Sequence, residues 1–301
     1  MGSSTFCDQT LPRSVPSRWD SVPAKCYSPG FHPQVQKRPT SLSYSEVSMP
    51  LVSTSSIILS TLRYSETSKI VRLATREHGV QSAIAKGALR PKSRFGAALQ
   101  LLSEGQAQLL MKEHRELHVL TAFDLRRLHV GLATDLERYA SACALAEVML
   151  RFAPPDPHPE SFDLLQRALE QLETAASPEV EALGFRVLWQ LVSVLGFAPS
   201  LDACVIDGTP LPGEGPLPFS TRGGGALCPL CAAQQGATQL PAEARSDLVT
   251  LLDPAAPLPS LDARHGAAHR RLLARYIRYH LGEGADLPAL EFWTQRAWAA
   301  A

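Results

Sequence analysis

Cysteine is scarce in this sequence, with six in 301 residues. That is too few to staple a chain of this length, so a disulfide scaffold is excluded. Any clustered thiols read first as metal ligands in a reducing cytosol. Long apolar runs are missing too. The most apolar candidate, residues 140–150, is broken by Glu147, short of the roughly 18–20 residues that a membrane span needs, so no membrane partner is expected. No apolar h-region opens the chain, and no secretory signal is visible. Catalytic signatures are absent as well: there is no GxxxxGKS/T phosphate loop, no GxSxG elbow and no HExxH. Glu113, Glu116 and Asp124 lie scattered among basic residues with no nucleophile nearby. An enzyme is not expected.

Net charge is the last thing lacking, since 29 basic residues balance 29 acidic ones. The balance hides a segregation. Residues 1–50 hold five basic and three acidic side chains, residues 51–127 twelve and six, and residues 128–301 twelve and twenty. A basic module joined to an acidic one points to one part that meets a polyanion and one that faces something else. The length suits two domains, and 45% hydrophobic residues suffice for real cores.

Residues 1–49 contain ten Ser and six Pro and no hydrophobic period. Such a stretch cannot bury enough apolar surface to offset its ordering entropy, so disorder is expected. Met49 stands just before the first patterned segment, where translation can equally start. Residues 50–127 read as five short strands, over 56–62, 69–75, 80–85, 105–111 and 117–124, punctuated by turn residues. Five strands in so short a span suit a small closed barrel, because closure removes exposed edges. From Leu128 the period becomes helical. Leu128, Leu132, Leu136, Tyr139 and Cys143 mark one helix face. Phe162, Leu165, Leu169 and Leu172 mark a second, and Val180, Leu183, Val187, Leu191 and Val194 a third. Residues 262–281 form a fourth helix, carrying Arg270, Arg271, Arg275 and Arg278. The helical domain is thus expected over 128–282, interrupted at 201–235, with a tail over 283–301.

Three groups of residues could carry chemistry. Lys86, Arg90, Lys92 and Arg94 lie on a loop that Gly87 and Pro91 hold out of regular structure. Lys69, Arg72 and Arg76 form a second row on the neighbouring strand. Long cations on a loop and a sheet face neutralise phosphates, and Tyr64 and Phe95 stand by to stack on bases. In the second group, Cys228 and Cys231 form a CxxC knuckle, and Cys204 with Asp207 occupies the place of a second one. Three thiolates and a carboxylate can share one tetrahedral zinc. A decayed site or a redox pair at Cys228 and Cys231 remain alternatives. In the third group, His265 and His269 share a helix face but lack an evident third ligand.

The segments 64–71, 75–79 and 83–96, with the CPLC knuckle and the 270–282 stretch, resemble the RecO family of bacterial DNA repair and recombination mediators. The resemblance covers about residues 50–282. It implies an OB-fold barrel followed by a helical domain with a zinc-ribbon-like insertion, an α+β multidomain chain. It further implies a cytoplasmic, nucleoid-associated protein that binds single- and double-stranded DNA without sequence preference and anneals complementary strands. With RecR, such a protein helps load RecA on DNA coated by single-strand-binding protein, whose acidic tail docks in a groove of the helical domain; Arg271 and Arg275 are candidates for that contact. Asp207 stands where the family pattern has a cysteine. An OB-fold RNA-binding protein and a non-catalytic interaction scaffold are the alternative functions.

Overall fold

The computed structural model describes residues 50–111, 115–154, 156–282, 284–296 and 298. The Ser/Pro-rich segment 1–49, Cys7, Cys26 and Glu113 lie outside them. The first half is built from β1 (Leu51–Arg63), β2 (Lys69–Thr75), β3 (Gly79–Ala85), β4 (Glu104–Leu110) and β5 (Leu117–Arg127). These close a barrel in the order β1-β2-β3-β5-β4. Closure depends on the length of β1, which exceeds the expected 56–62. Its first half, Leu51 to Ile57, pairs with β4, and its second half, Ser56 to Arg63, pairs with β2. A register shift between Ile58 and Ser60 bends the strand between these roles. A parallel pairing of β3 with β5 joins the two sides. This is the OB-fold arrangement, as the resemblance implied.

Alternate side chains point inward and fill the barrel. Ile58, Val71, Leu73, Ala83, Ala85, Leu109 and Leu120 are all buried, as the two-residue period of a strand requires. The loop between β3 and β4 plugs one end with Ala88, Phe95, Ala98 and Leu99.

The second half comprises α1 (Leu136–Phe152), α2 (Pro159–Thr174), α3 (Val180–Val192), α4 (Pro229–Gln235), α5 (Ala242–Leu252), α6 (Ala263–Leu281) and α7 (Pro288–Gln295). A small sheet of β6 (Leu217–Ser220), β7 (Gly225–Ala226) and β8 (Thr238–Leu240) is inserted before α5. The expected faces of α2 and α3 are the buried ones. The first helix is different. His129 adopts a left-handed backbone (φ 48°), a 3-10 turn follows over Val130–Thr134, and α1 begins only after Asp135, whose carboxylate caps Glu137 and Arg138. That break resets the phase. Leu136 and Tyr139 are exposed, and the buried face is Ala140, Ala144, Leu145 and Val148.

Two further expectations are corrected. The 21-residue stretch 177–197 contains an 18-residue window with a mean hydropathy of 1.4, long and apolar enough to cross a membrane. It is α3 with its flanking turns, and most of it is buried against the neighbouring helices. The segment after Gly282 is also more than a tail. In α7, Trp293 is fully buried and donates its indole N–H to Ser141 Oγ at 3.1 Å. Glu147 of α1 caps α7 by accepting from the N–H groups of Ala289 and Leu290.

Polar contacts join barrel and helices. Arg76 donates two hydrogen bonds to Asp163 of α2 at 2.8 and 3.0 Å, and Arg127 pairs with Glu170 at 2.6 Å. His129 is buried between Glu173, 2.9 Å from Nδ1, and Glu104, 3.6 Å from Nε2.

Candidate nucleic-acid interface and metal centre

The loop after β3 is a chain of tight turns. Arg90 N–H donates to Gly87, Ser93 N–H to Arg90, Gly96 N–H to Ser93 and Ala98 N–H to Phe95, all within 3.1 Å. Gly87 turns the chain at φ +74°, a conformation that side chains disfavour. The turns bury Ala88 and Phe95 and leave Lys86, Arg90, Lys92 and Arg94 exposed. Among the described residues none of these four cations has an acidic partner. Arg94 lies over the Phe95 ring at 5.1 Å. Phe95 is therefore a barrel plug and cannot stack on a base, whereas Tyr64 is 60% exposed.

The second row does not form one face. Lys69 has the parity of the inward-facing Val71 and Leu73, and it donates from Nζ to the Leu99 carbonyl at 3.1 Å. Arg72 points outward. Arg76 also turns toward the helices and is occupied by Asp163, whose carboxyl is held below its usual range chiefly by that hydrogen bond.

The insertion brings the sulfurs of Cys204, Cys228 and Cys231 and a carboxylate oxygen of Asp207 within 4.8 Å of one another. Two turns make this possible. Gly208, at φ +71°, donates its N–H to the Cys204 carbonyl and folds Asp207 back. Cys228 caps α4, its sulfur accepting from Cys231 N–H at 3.4 Å. Asp207 Oδ2 stands 3.3 Å from Cys228 Sγ and 3.4 Å from Cys231 Sγ. A tetrahedron with a Zn–S arm of about 2.3 Å and a Zn–O arm of about 2.0 Å has an S···O edge of about 3.5 Å. The donor set therefore fits a zinc ion, with Asp207 as the fourth ligand. The Thr209 N–H, followed by the Cys204 thiol, holds the Asp207 carboxyl well below its usual range, so it is ready to ligate as an anion. The Cys231 thiol is pushed up to about 12, first by its hydrogen bond with Cys228 and then by burial. That is the reverse of the lowered pKa that a reactive redox thiol needs.

A bound metal makes a direct prediction. Cys228→Ser is expected to lower the melting temperature of the full chain. A chelator should lower that of the unaltered chain and leave the variant's where it is. A melting temperature indifferent to both treatments contradicts a structural ion. Asp207→Cys should hold zinc against a higher chelator concentration, because thiolate is the softer ligand.

The four arginines of the fourth helix, α6, do not share one role. Arg270 is buried. Its guanidinium donates to Glu137 at 2.7 Å, Glu181 at 2.8 Å and the Trp293 carbonyl at 2.9 Å, and it stacks on the Trp293 ring. Arg278 pairs with Glu291. Arg271 and Arg275 are exposed on the wall of a cleft of about 440 Å³ between α5 and α6. His269 is buried 3.5 Å from Asp247, and His265 sits by Asp262 and Glu243. Among the described residues, the Cys–Asp group is the one that gathers three or more potential metal ligands. The Arg270 network went unread in the sequence, although the double arginine inside an otherwise amphipathic helix was its one visible sign.

An OB barrel with an exposed cationic loop is followed by a helical part that carries a Cys₃Asp knuckle. The family model for the N-terminal part of recombination protein O matches residues 49–129, and that for its C-terminal part matches 133–288. The DNA repair protein RecO of Rubrobacter xylanophilus is 31% identical over 238 residues, covering 77% of this chain and 92% of that one. The DNA repair protein RecO of Anaeromyxobacter dehalogenans is 35% identical over 239 residues, covering 78% and 93%. The chain belongs to the RecO family of DNA repair proteins.

Proposed function

We propose that this protein is a recombination mediator without a catalytic centre. It binds single- and double-stranded DNA without sequence preference and anneals complementary strands. With RecR, it helps load RecA onto single strands coated by single-strand-binding protein. It works in the cytoplasm, at the nucleoid. The observation that carries the reading is the turn-locked loop presenting Lys86, Arg90, Lys92 and Arg94 with no acidic partner among the described residues. Cations held in this way gain by displacing condensed counterions from phosphates, which needs no base readout. Bringing two neutralised strands onto one surface lowers their repulsion and raises their effective concentration, and that promotes annealing.

The cleft between α5 and α6 supports the second half of the reading. Leu240, Ala244 and Leu272 give it an apolar floor, and Arg264, Arg271 and Arg275 a basic rim. An extended acidic, apolar peptide ending in a carboxylate suits such a lining. We assign it to the tail of the single-strand-binding protein. Zinc at Cys204, Asp207, Cys228 and Cys231 would hold the insertion together and take no part in DNA contact.

The test is equilibrium binding of labelled single-stranded DNA, double-stranded DNA and RNA of matched length to the full chain. Tight binding of both DNA forms, insensitive to sequence and not displaced by an equal concentration of RNA, supports the reading. A strong preference for single-stranded RNA overturns it in favour of an RNA-binding protein. Absence of nucleic-acid binding overturns it in favour of a scaffold.

A further inference from the structure

The outer face of the barrel carries a smaller cationic feature at its seam with the helices. Arg72 projects outward from β2 between its register partners, Ser60 of β1 and Ser82 of β3. Its Nε is buried and makes no hydrogen bond. Arg151, in the last turn of α1, is exposed and lines a cleft of about 300 Å³ together with Leu59, Ser60 and Leu150. The two guanidiniums repel each other: the pKa of Arg72 is lowered, first by burial and then by the charge of Arg151. Among the described residues neither arginine has an acidic partner. The acid on the cleft wall, Glu147, is committed to the N–H groups that begin α7. Like charges confined without a counter-ion weaken the fold, and an anion between them reverses that effect. Guanidinium forks match the oxygens of a phosphate bidentately.

The same face leads to the loop. Lys86 follows β3 four residues beyond Ser82, about 13 Å at 3.3 Å per residue. Both residues have the outward parity of their strand, opposite to the buried Ala83 and Ala85. Between them lies one register row of aliphatic side chains, Leu62, Ile70 and Ile84. Leu62 is 63% exposed and the other two are half-buried. In the other direction Ala74 is buried under the helical core, so the open face ends at Arg72. The result is a cation, an apolar shelf and a cation pair in a line.

We propose that Arg72 and Arg151 together grip one backbone phosphate of a DNA strand that runs from the Lys86 loop across the Leu62–Ile70–Ile84 shelf to the domain seam. This rests on the DNA-binding reading above and adds Arg151, a residue of the helical domain, to the binding track. Because one phosphate is shared between two side chains, removing either arginine should cost the same contact.

The test uses the full chain and a labelled oligo-dT probe, which cannot self-anneal, between 50 and 200 mM salt. Arg151→Ala is expected to flatten the log–log salt slope by about 0.7, so that affinity falls about 2.6-fold less across that range than for the unaltered chain. Arg72→Ala should do the same, and the double variant should lose no more than either single one. Three results overturn the proposal while leaving the DNA reading intact. One is an unchanged slope in Arg151→Ala when Ala at Lys86, Arg90, Lys92 and Arg94 does flatten it. Another is additive loss in the double variant, which means separate contacts. The third is inorganic phosphate raising the melting temperature of the unaltered chain but not of Arg151→Ala while both slopes stay equal, which marks a free-anion site. Failure of the unaltered chain to bind the probe overturns the DNA reading itself.

Discussion

Replacing Lys86, Arg90, Lys92 and Arg94 together with Ala is expected to weaken binding of single-stranded DNA by about two to three orders of magnitude at 0.1 M salt. The figure follows from counterion release. Each phosphate contact to a single strand contributes about 0.7 to the log–log salt slope. Four lost contacts flatten that slope by about 3. The fold should survive, because all four side chains are exposed and the turns that hold the loop are made by backbone groups. Surface changes of this kind usually cost within about 0.5 kcal/mol each. Equilibrium titration across a salt series, beside a melting curve, checks both parts. A folded variant with unchanged affinity and slope removes the loop from the interface.

Arg270→Ala is expected to have the largest effect on stability. Arg270 is 2% exposed and joins α1, α3 and α7 through Glu137, Glu181 and the Trp293 carbonyl. Its removal leaves two largely buried carboxylates short of a partner and takes away the cation over the Trp293 ring. Breaking a buried charge network by deleting one member costs about 3–5 kcal/mol, or about 10 °C in melting temperature for a chain of this size. Arg296 also reaches Glu137 and Glu181, at 3.0 and 2.9 Å, so the loss should sit at the lower end of that range. The further change Arg296→Ala should then cost more in the Arg270→Ala background than alone. A melting temperature within 2 °C of the parent would mean that the network contributes nothing. DNA affinity in the variant, measured well below its melting temperature, should be retained, since the network is remote from the loop.

The barrel was legible because its strands are short, β-branched and separated by turn residues, and because interior and exterior positions alternate along β2 and β3. The phase of α1 was not. The turn at His129 and the cap at Asp135 break the helical period between Leu132 and Leu136. The buried face beyond is largely alanine, which carries little hydrophobic signal beside the exposed Leu136 and Tyr139. The exposed cations of the loop could be read from Gly87 and Pro91, which forbid regular structure around them. The fates of Arg76 and Arg270 could not. Their partners come from positions 87 and 133 residues away, Asp163 and Glu137, and only the packing of the helices decides which arginine meets an acid and which faces solvent. The metal cluster lies between these cases. The CxxC knuckle and the Cys204–Asp207 pair are visible in one dimension, but that Asp207 stands close enough to the sulfurs to share an ion is seen only in the distances.

The central claim is that this chain brings complementary strands together through phosphate neutralisation on the barrel. Its most direct test is the rate at which the full chain anneals complementary oligonucleotides pre-coated with single-strand-binding protein, followed over a salt series. The account predicts faster annealing that declines steeply as salt rises and is lost when Lys86, Arg90, Lys92 and Arg94 are replaced. No acceleration by a folded protein at low salt, or acceleration that neither salt nor those replacements affect, would contradict it.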